Sequence, residues 1–309
     1  MRNEAVKEQA FRLGFSACGI AKAGPVAKEA ADTYRQWTAN GHHASMGYLA
    51  DNVEKRLDPT LLLPGARSVI VVAMNYAPAQ RLPDNEYQIA DYALGRDYHD
   101  LLKERLRQLA ALIPAIAEND YKVCVDTVPI LERYWAIQAG LGFQGRNHLL
   151  IIPGAGSQFF LGEIVTTLEA DHYDPPFGGH RCGTCRQCVD ACPSGALTNE
   201  DDVFHAGRCL SYQTIENRAP QLAAEVGNEM GDTIYGCDRC QRVCPWNRFA
   251  KPTDEPHLQP NEDLLKMTKE DWQQLSIDTY RQLFRGSAVK RAKYEGLMRN
   301  IHAVANHQD

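Results

Sequence analysis

The chain opens on a helical rhythm. Over residues 1–15, apolar positions recur at helical spacing among Arg2, Glu4, Lys7, Glu8 and Arg12, which predicts an amphipathic helix. Residues 68–74 (Ser-Val-Ile-Val-Val-Ala-Met) break the rhythm: the run is short and rich in β-branched residues, and reads as a buried strand. Residues 98–113 return to the helical period through Leu101, Leu102, Leu106, Leu109, Leu112 and Ile113, until Pro114 ends the helix. Segments 121–125, 149–152 and 158–168 look extended, and 130–139 between them looks helical. This mixture predicts an α/β or α+β domain.

Near Tyr173 the texture changes. Asp174-Pro175-Pro176-Phe177-Gly178-Gly179 is a turn-rich joint, and eight cysteines crowd between it and Pro245. After Lys251 the chain becomes polar and proline-bearing, then helical again over 271–284. Three parts are expected: residues 1–174, residues 175–255 with the clustered cysteines, and a short helical C-terminal segment, 256–309.

Composition narrows the setting. With 309 residues, 44% of them hydrophobic, the chain can bury a core, and a net charge of -6 gives no overall attraction to nucleic acid or anionic membranes. Any such partner must be met locally. No apolar run approaches the roughly 18 residues that span a bilayer, and the N-terminal helix is not a signal peptide. A cytoplasmic protein without membrane contact is expected. In that reducing compartment clustered cysteines bind metal rather than pair as disulfides.

Their spacing says which metal. Cys182, Cys185, Cys188 and Cys192, followed by Pro193, keep the C-x2-C-x2-C-x3-C-P run by which bacterial ferredoxins hold 4Fe-4S clusters. There the fourth cysteine serves the other cluster, so a second half-motif must exist. Cys237, Cys240 and Cys244 before Pro245 supply it, with Cys209 upstream as the remaining ligand. The expected sets are crossed: Cys182, Cys185, Cys188 and Cys244 for one cluster, Cys192, Cys209, Cys237 and Cys240 for the other. Paired four-cysteine zinc sites are the plainer alternative, but zinc needs neither the third cysteine after another two-residue gap nor the repeated Cys-Pro. Cys18 and Cys124 sit among apolar residues and read as buried, inert thiols. Two clusters form a one-electron relay. Either the chain is only a carrier, or its N-terminal part holds a redox cofactor.

Two motifs for that cofactor mislead. Gly140-Leu141-Gly142-Phe143-Gln144-Gly145 fits G-x-G-x-x-G but follows a helical segment, and no acidic residue sits about 20 positions beyond a βα turn, so glycine caps explain it better. Asp97-Tyr98-His99 begins like the Asp-x-His-x-x-Gly loop in which histidine ligates cobalt, yet Leu102 stands where the glycine belongs. No P-loop, zinc-protease helix or nucleophile elbow is present.

Several segments read together as a family. Arg56-Leu57-Asp58-Pro59, residues 92–99, Val125-Asp126-Thr127-Val128-Pro129-Ile130-Leu131-Glu132-Arg133, Cys209-Leu210-Ser211-Tyr212-Gln213-Thr214-Ile215-Glu216 and Gly236-Cys237-Asp238-Arg239-Cys240 resemble the epoxyqueuosine reductases, and the likeness runs from about residue 10 to residue 300. The resemblance implies a base-off cobalamin in the N-terminal domain, which the failed Asp-x-His motif suits, with the two 4Fe-4S clusters feeding it electrons. It implies reductive removal of the epoxide oxygen of epoxyqueuosine in tRNAs with GUN anticodons (those for aspartate, asparagine, histidine and tyrosine), the last step of queuosine synthesis. A small donor such as flavodoxin or ferredoxin would supply the electrons to what is expected to be a monomer. Asp126 matches the family's proton donor, and an apolar pocket against the corrin should hold it partly protonated. Arg56, Asp97, Tyr98, Asn147, Ser157, Ser211, Gln213 and Asp238 lie in or beside the matching motifs and are the candidate corrin contacts. Glu132 and Arg133 read equally as a structural ion pair or a functional one.

Two departures bear on the reading. Arg146 and Ser194 stand where the family usually has lysine and threonine, and the chain ends at Asp309 where longer members continue into a HEAT-like repeat that helps hold tRNA. Arg281, Arg285, Lys290, Arg291, Lys293 and Arg299, set against Glu295, form the remaining candidate phosphate-contacting patch. The alternatives are a corrinoid reductive dehalogenase, whose usual twin-arginine signal is missing, and a ferredoxin-like carrier, which leaves the N-terminal domain idle.

Overall fold

The computed structural model describes residues 1–114, 116–197 and 203–306. Helix α1 (Asn3–Arg12) leads into strand β1 (Ala17–Lys22) and helix α2 (Lys28–Ala39), and the short α3 (Val53–Leu57) carries Arg56. There follow β2 (Ser68–Asn75), β3 (Gln88–Ile89), α4 (Tyr98–Ala111), β4 (Tyr121–Cys124) and α5 (Glu132–Gln138). The hairpin β5 (Phe143–Gln144) and β6 (Leu150–Ile151) precedes β7 (Phe159–Thr166).

The main sheet has the order β1-β2-β7-β4 with every pairing antiparallel, so this part is α+β. β2 lies inside and is buried on both faces, which explains its unbroken apolar run. Ile70, Val72 and Met74 join α1 and α4 on one face, while Val69, Val71 and Ala73 join α2 and α5 on the other. Each buried valine, isoleucine or methionine among them contributes about 1.5–3 kcal/mol. β1 had no clear signature in the sequence, because Ala-Cys-Gly-Ile-Ala-Lys is mostly small residues. Its Gly19 is required by packing: a Cβ there would lie 2.0 Å from the Ala139 carbonyl oxygen. On β7 the α5-facing side is interrupted by Glu163, opposite Val71 and Cys124.

The cysteine region holds α6 (Gln187–Asp190), α7 (Leu210–Ile215), α8 (Ala224–Met230), β8 (Thr233–Tyr235) and α9 (Arg239–Arg242). β3 pairs in parallel with β8, and Tyr87, Ile89 and Leu94 share one core with Trp272, Phe284, Leu297 and Ile301. The last helices are α10 (Glu262–Leu265), α11 (Lys269–Gln273), α12 (Ile277–Leu283) and α13 (Lys293–Ala305). The single helix expected over 271–284 is split because Ser276 caps α12, its side chain accepting the Thr279 N–H.

The basic C-terminal face is smaller than its residues imply. Arg291 forms a two-point pair with Glu216 at 2.8 Å, and Arg299 donates to the carbonyls of Gln213, Asn217 and Ala219. Arg299 holds α13 against α7 and Arg291, just before α13, pins the chain to Glu216 at the end of α7, leaving Arg285, Lys290 and Lys293 exposed beside Arg281, which faces Asp278. Among the described residues no helix is long and apolar enough to cross a membrane.

Candidate active site and cysteine centres

Asp126 follows β4 in the left-handed backbone region, at φ 52°, where aspartate fares better than most residues. Its N–H donates to Glu132 Oε1 at 2.6 Å. Its Oδ2 accepts from the Tyr98 hydroxyl at 2.9 Å and faces His99 Nε2 at 3.0 Å. The Tyr98 ring is held in place by stacking on Phe160, 4.2 Å away and nearly parallel. Asp97, the N-cap of α4, accepts the His99 N–H and faces His99 Nδ1 at 2.7 Å.

With a carboxylate at each ring nitrogen, His99 is best satisfied as imidazolium. Burial alone would lower its pKa, but the hydrogen bonds to Asp126 and Asp97 raise it to about 9. Burial would likewise raise Asp126, yet His99 and Tyr98 hold its carboxyl below the usual range. The expectation of a partly protonated Asp126 is thereby corrected: at neutral pH the carboxyl is ionised and the proton rests on His99. The Asp126 side chain is 56% exposed and still feels desolvation, as does exposed Tyr48, so both line an open cleft walled by protein.

This arrangement has a pH signature. Because the folded state raises the His99 pKa from 6.5 to about 9, its stabilising contribution is complete below the unfolded value and lost as pH rises through about 9. Thermal unfolding of the wild type should weaken across that window, and His99→Gln should flatten the dependence. An unchanged slope in the variant would place the proton elsewhere.

Glu132 and Arg133 do not pair with each other. Glu132 is taken by the Asp126 N–H, and Arg133 Nη1 donates to the His148 carbonyl at 2.6 Å. Burial, then the charge of Asp126, push the Glu132 carboxyl up to about 7. Behind it Glu163 is fully buried, both its oxygens lack a partner, and burial drives its pKa well above the ordinary value. Sequence reasoning gave His99 and Glu163 no functional place. His99 could have been found from Asp97 two residues earlier, whereas Glu163 carries no local signal.

The other candidates separate. Arg56 is buried with one guanidinium N–H on the Tyr48 carbonyl and its Nε unpartnered, and Asn147 is buried with Nδ2 unpartnered. Ser157 is bonded to Asn247. Gln213 donates one amide N–H to the Gly207 carbonyl and accepts from Asn217. Asp238 accepts the Asp91 N–H at 2.6 Å, and Asp91 in turn meets Arg81 and Gln158, so Asp238 belongs to a buried polar network. Ser211 presents its backbone N–H to Cys209.

The cysteines gather as two sets. Cys182, Cys185, Cys188 and Cys244 line one cavity of about 260 Å³ with Arg146, Asn147, Trp246, Arg248 and Phe249. Cys209 interacts electrostatically with Cys192, Cys237 with Cys209, and Cys240 with both Cys237 and Cys209. The sets adjoin, since Cys188, Cys192 and Cys240 share one small apolar cluster. Backbone N–H groups point at Cys209 from Ser211 and Tyr212, and at Cys244 from Trp246 and Asn247, contacts that stabilise thiolate and tune cluster potential. Cys124 is buried and Cys18 half-buried, the Cys18 thiol pushed up to about 12 by burial, which keeps it unreactive.

A molecule that gathers eight thiols in two adjoining sets and keeps an imidazolium–carboxylate pair in a cleft is built to move electrons and protons together. Its class is that of the iron–sulfur oxidoreductases. Residues 181–247 match the family model of the 4Fe-4S double cluster binding domain, and residues 56–127 that of epoxyqueuosine reductase QueG, DUF1730. The epoxyqueuosine reductase of Cellulophaga algicola is 42% identical over 302 residues, 97% of this chain and 96% of its own. A selenomethionine-labelled epoxyqueuosine reductase structure matches with TM-score 0.88 at 29% identity, covering 98% of this chain and 81% of the other. A second, solved with a tRNA-Tyr epoxyqueuosine-modified stem loop, matches with TM-score 0.87 at 28% identity, covering 98% and 80%. The chain belongs to the epoxyqueuosine reductase family.

Proposed function

We propose that this chain removes the epoxide oxygen of epoxyqueuosine in tRNAs with GUN anticodons, yielding queuosine and water. The observation that carries the reading is the Asp126–His99–Asp97 chain beside Tyr98, an acid assembly in an open cleft where a departing oxygen needs a proton. His99 stores the proton between two carboxylates. Asp126 takes it at Oδ2 and presents it to the cleft, while Tyr98, braced on Phe160, keeps the carboxyl oriented.

The residues also fit a cobalamin. Arg56 Nε and Asn147 Nδ2 are buried donors without partners, which the amide carbonyls at a corrin's rim would satisfy. When bound, that cofactor supplies low-valent cobalt as the reductant. Residues 1–174 would hold it, residues 175–255 would hold the two 4Fe-4S clusters in the crossed sets, and the exposed lysines and arginines of 256–309 would meet phosphate.

A cavity of about 260 Å³ between four thiols suits a cubane better than one zinc ion, whose ligands close to about 2.3 Å around a point. This set also lies beside Arg146, Arg248 and exposed Phe249. A small acidic carrier such as flavodoxin or ferredoxin would dock there.

Anaerobic incubation of the reconstituted protein with reduced viologen, cobalamin and epoxyqueuosine-bearing tRNA, followed by nucleoside mass spectrometry, tests the reading. Queuosine should form. Its absence overturns the proposed reaction.

A further inference from the structure

The acid of the reaction proposed above sits on strained backbone. Just beyond β4, the Thr127 N–H donates to the Val125 carbonyl across Asp126, whose φ is 52°. A three-residue turn with a positive φ at its centre is the rare, strained form, and such a residue persists only where its surroundings over-determine it. A change to negative φ would relieve the strain. Because the Cα–Cβ direction follows the backbone, that change would also turn the carboxyl away from Tyr98 and His99.

Three groups oppose it. Two hold the side chain, the Tyr98 hydroxyl at 2.9 Å and His99 Nε2 at 3.0 Å. The third holds the main chain: Glu132 Oε1 accepts the Asp126 N–H at 2.6 Å, reaching back six residues. Glu132 is firmly based, as the first residue of α5, whose Trp135 and Ala136 are buried against the sheet. Between the two, the Ile130 N–H closes a second narrow turn on the Val128 carbonyl at 2.8 Å, around Pro129, so residues 126–131 have little slack. An acid at a helix start commonly serves the helix itself, by capping its first N–H groups or offsetting its dipole. Here Oε1 is turned back to the loop, and neighbouring Arg133 is engaged by the His148 carbonyl.

We propose that Glu132 is a positioning residue for the reaction read above, its carboxyl latching the strained turn through the Asp126 N–H and so keeping the Asp126 carboxyl on His99 and in the cleft. What the latch needs is an acceptor at the right reach. Charge at that position is secondary.

Reach and charge can be separated. Glu132→Gln keeps an oxygen at the same reach, Glu132→Asp keeps the charge but is one methylene short, and Glu132→Ala has neither. In the queuosine assay Glu132→Ala and Glu132→Asp should lose about 10–100-fold in kcat with KM unchanged, while Glu132→Gln stays close to wild type. The Asp126 amide should exchange with deuterium about tenfold faster in those two variants and not in Glu132→Gln. Adding Glu132→Ala to Asp126→Asn should cost nothing further in kcat, because an acid already removed cannot be misplaced. Should Glu132→Ala fail to fold, Glu132→Asp, which keeps a charge at the start of α5, decides. A wild-type kcat in Glu132→Asp overturns the latch, as does a Glu132→Gln as slow as Glu132→Ala. A wild type that forms no queuosine overturns the reaction instead, and the exchange rates then decide the latch: faster exchange in Glu132→Asp upholds it and unchanged exchange overturns it.

Discussion

Asp126→Asn is expected to lower queuosine formation by about 10²–10⁴-fold, the usual worth of a positioned general acid. Asparagine is the informative replacement for three reasons. It tolerates the left-handed backbone at φ 52° that alanine or valine would strain. Its amide oxygen still accepts from Tyr98, and its main-chain N–H still meets Glu132. What it cannot do is carry a proton from His99 to the cleft. Iron content and thermal unfolding at pH 7 should therefore stay close to wild type while turnover collapses, measured as queuosine per enzyme over time. Turnover near the wild-type rate would remove Asp126 from the chemistry and leave it as a loop anchor.

Cys244→Ser and Cys209→Ser are expected to abolish activity by removing different clusters, each losing about half of the iron. Both cysteines belong to the second half of the motif in sequence, so a simple linear assignment predicts the same defect from either. The structure instead puts Cys244 in the cavity with Cys182, Cys185 and Cys188, and Cys209 within electrostatic reach of Cys192 and Cys237. Paramagnetic resonance of the reduced variants should show complementary surviving signals. Identical signals would defeat the crossed sets. Assembly should also release protons, because burial pushes the Cys237 thiol up to about 11 and ligation requires thiolate.

Much of the fold was legible wherever one period dominated. β2 announced itself because burial on both faces demands an unbroken apolar run, and α4 because its buried leucines keep helical spacing. β1 stayed hidden because close packing against Ala139 selects small residues over β-branched ones. The break between α11 and α12 depends on one serine cap, a signal that the apolar pattern on either side overrides. At the site, the Asp97-Tyr98-His99 run invited comparison with a cobalt-binding loop, whereas its function in the fold is to place an imidazolium against Asp126.

The expected cysteine ligand sets come from spacing alone, and the expected role of Asp126 from the family resemblance of its segment. Cluster ligands recur three and four positions apart along the chain, so the spacing of Cys182 to Cys192 and the prolines after each run state their chemistry without any fold. Protonation is different in kind. Whether Asp126 or His99 holds the proton, and whether Glu163 can be ionised, depends on charges brought together from α4, α5, β4 and β7 and on the water they exclude. His99 and Tyr98, 27 and 28 positions away from Asp126, set its state, and only the tertiary structure, by packing an antiparallel sheet between helices, puts them within reach.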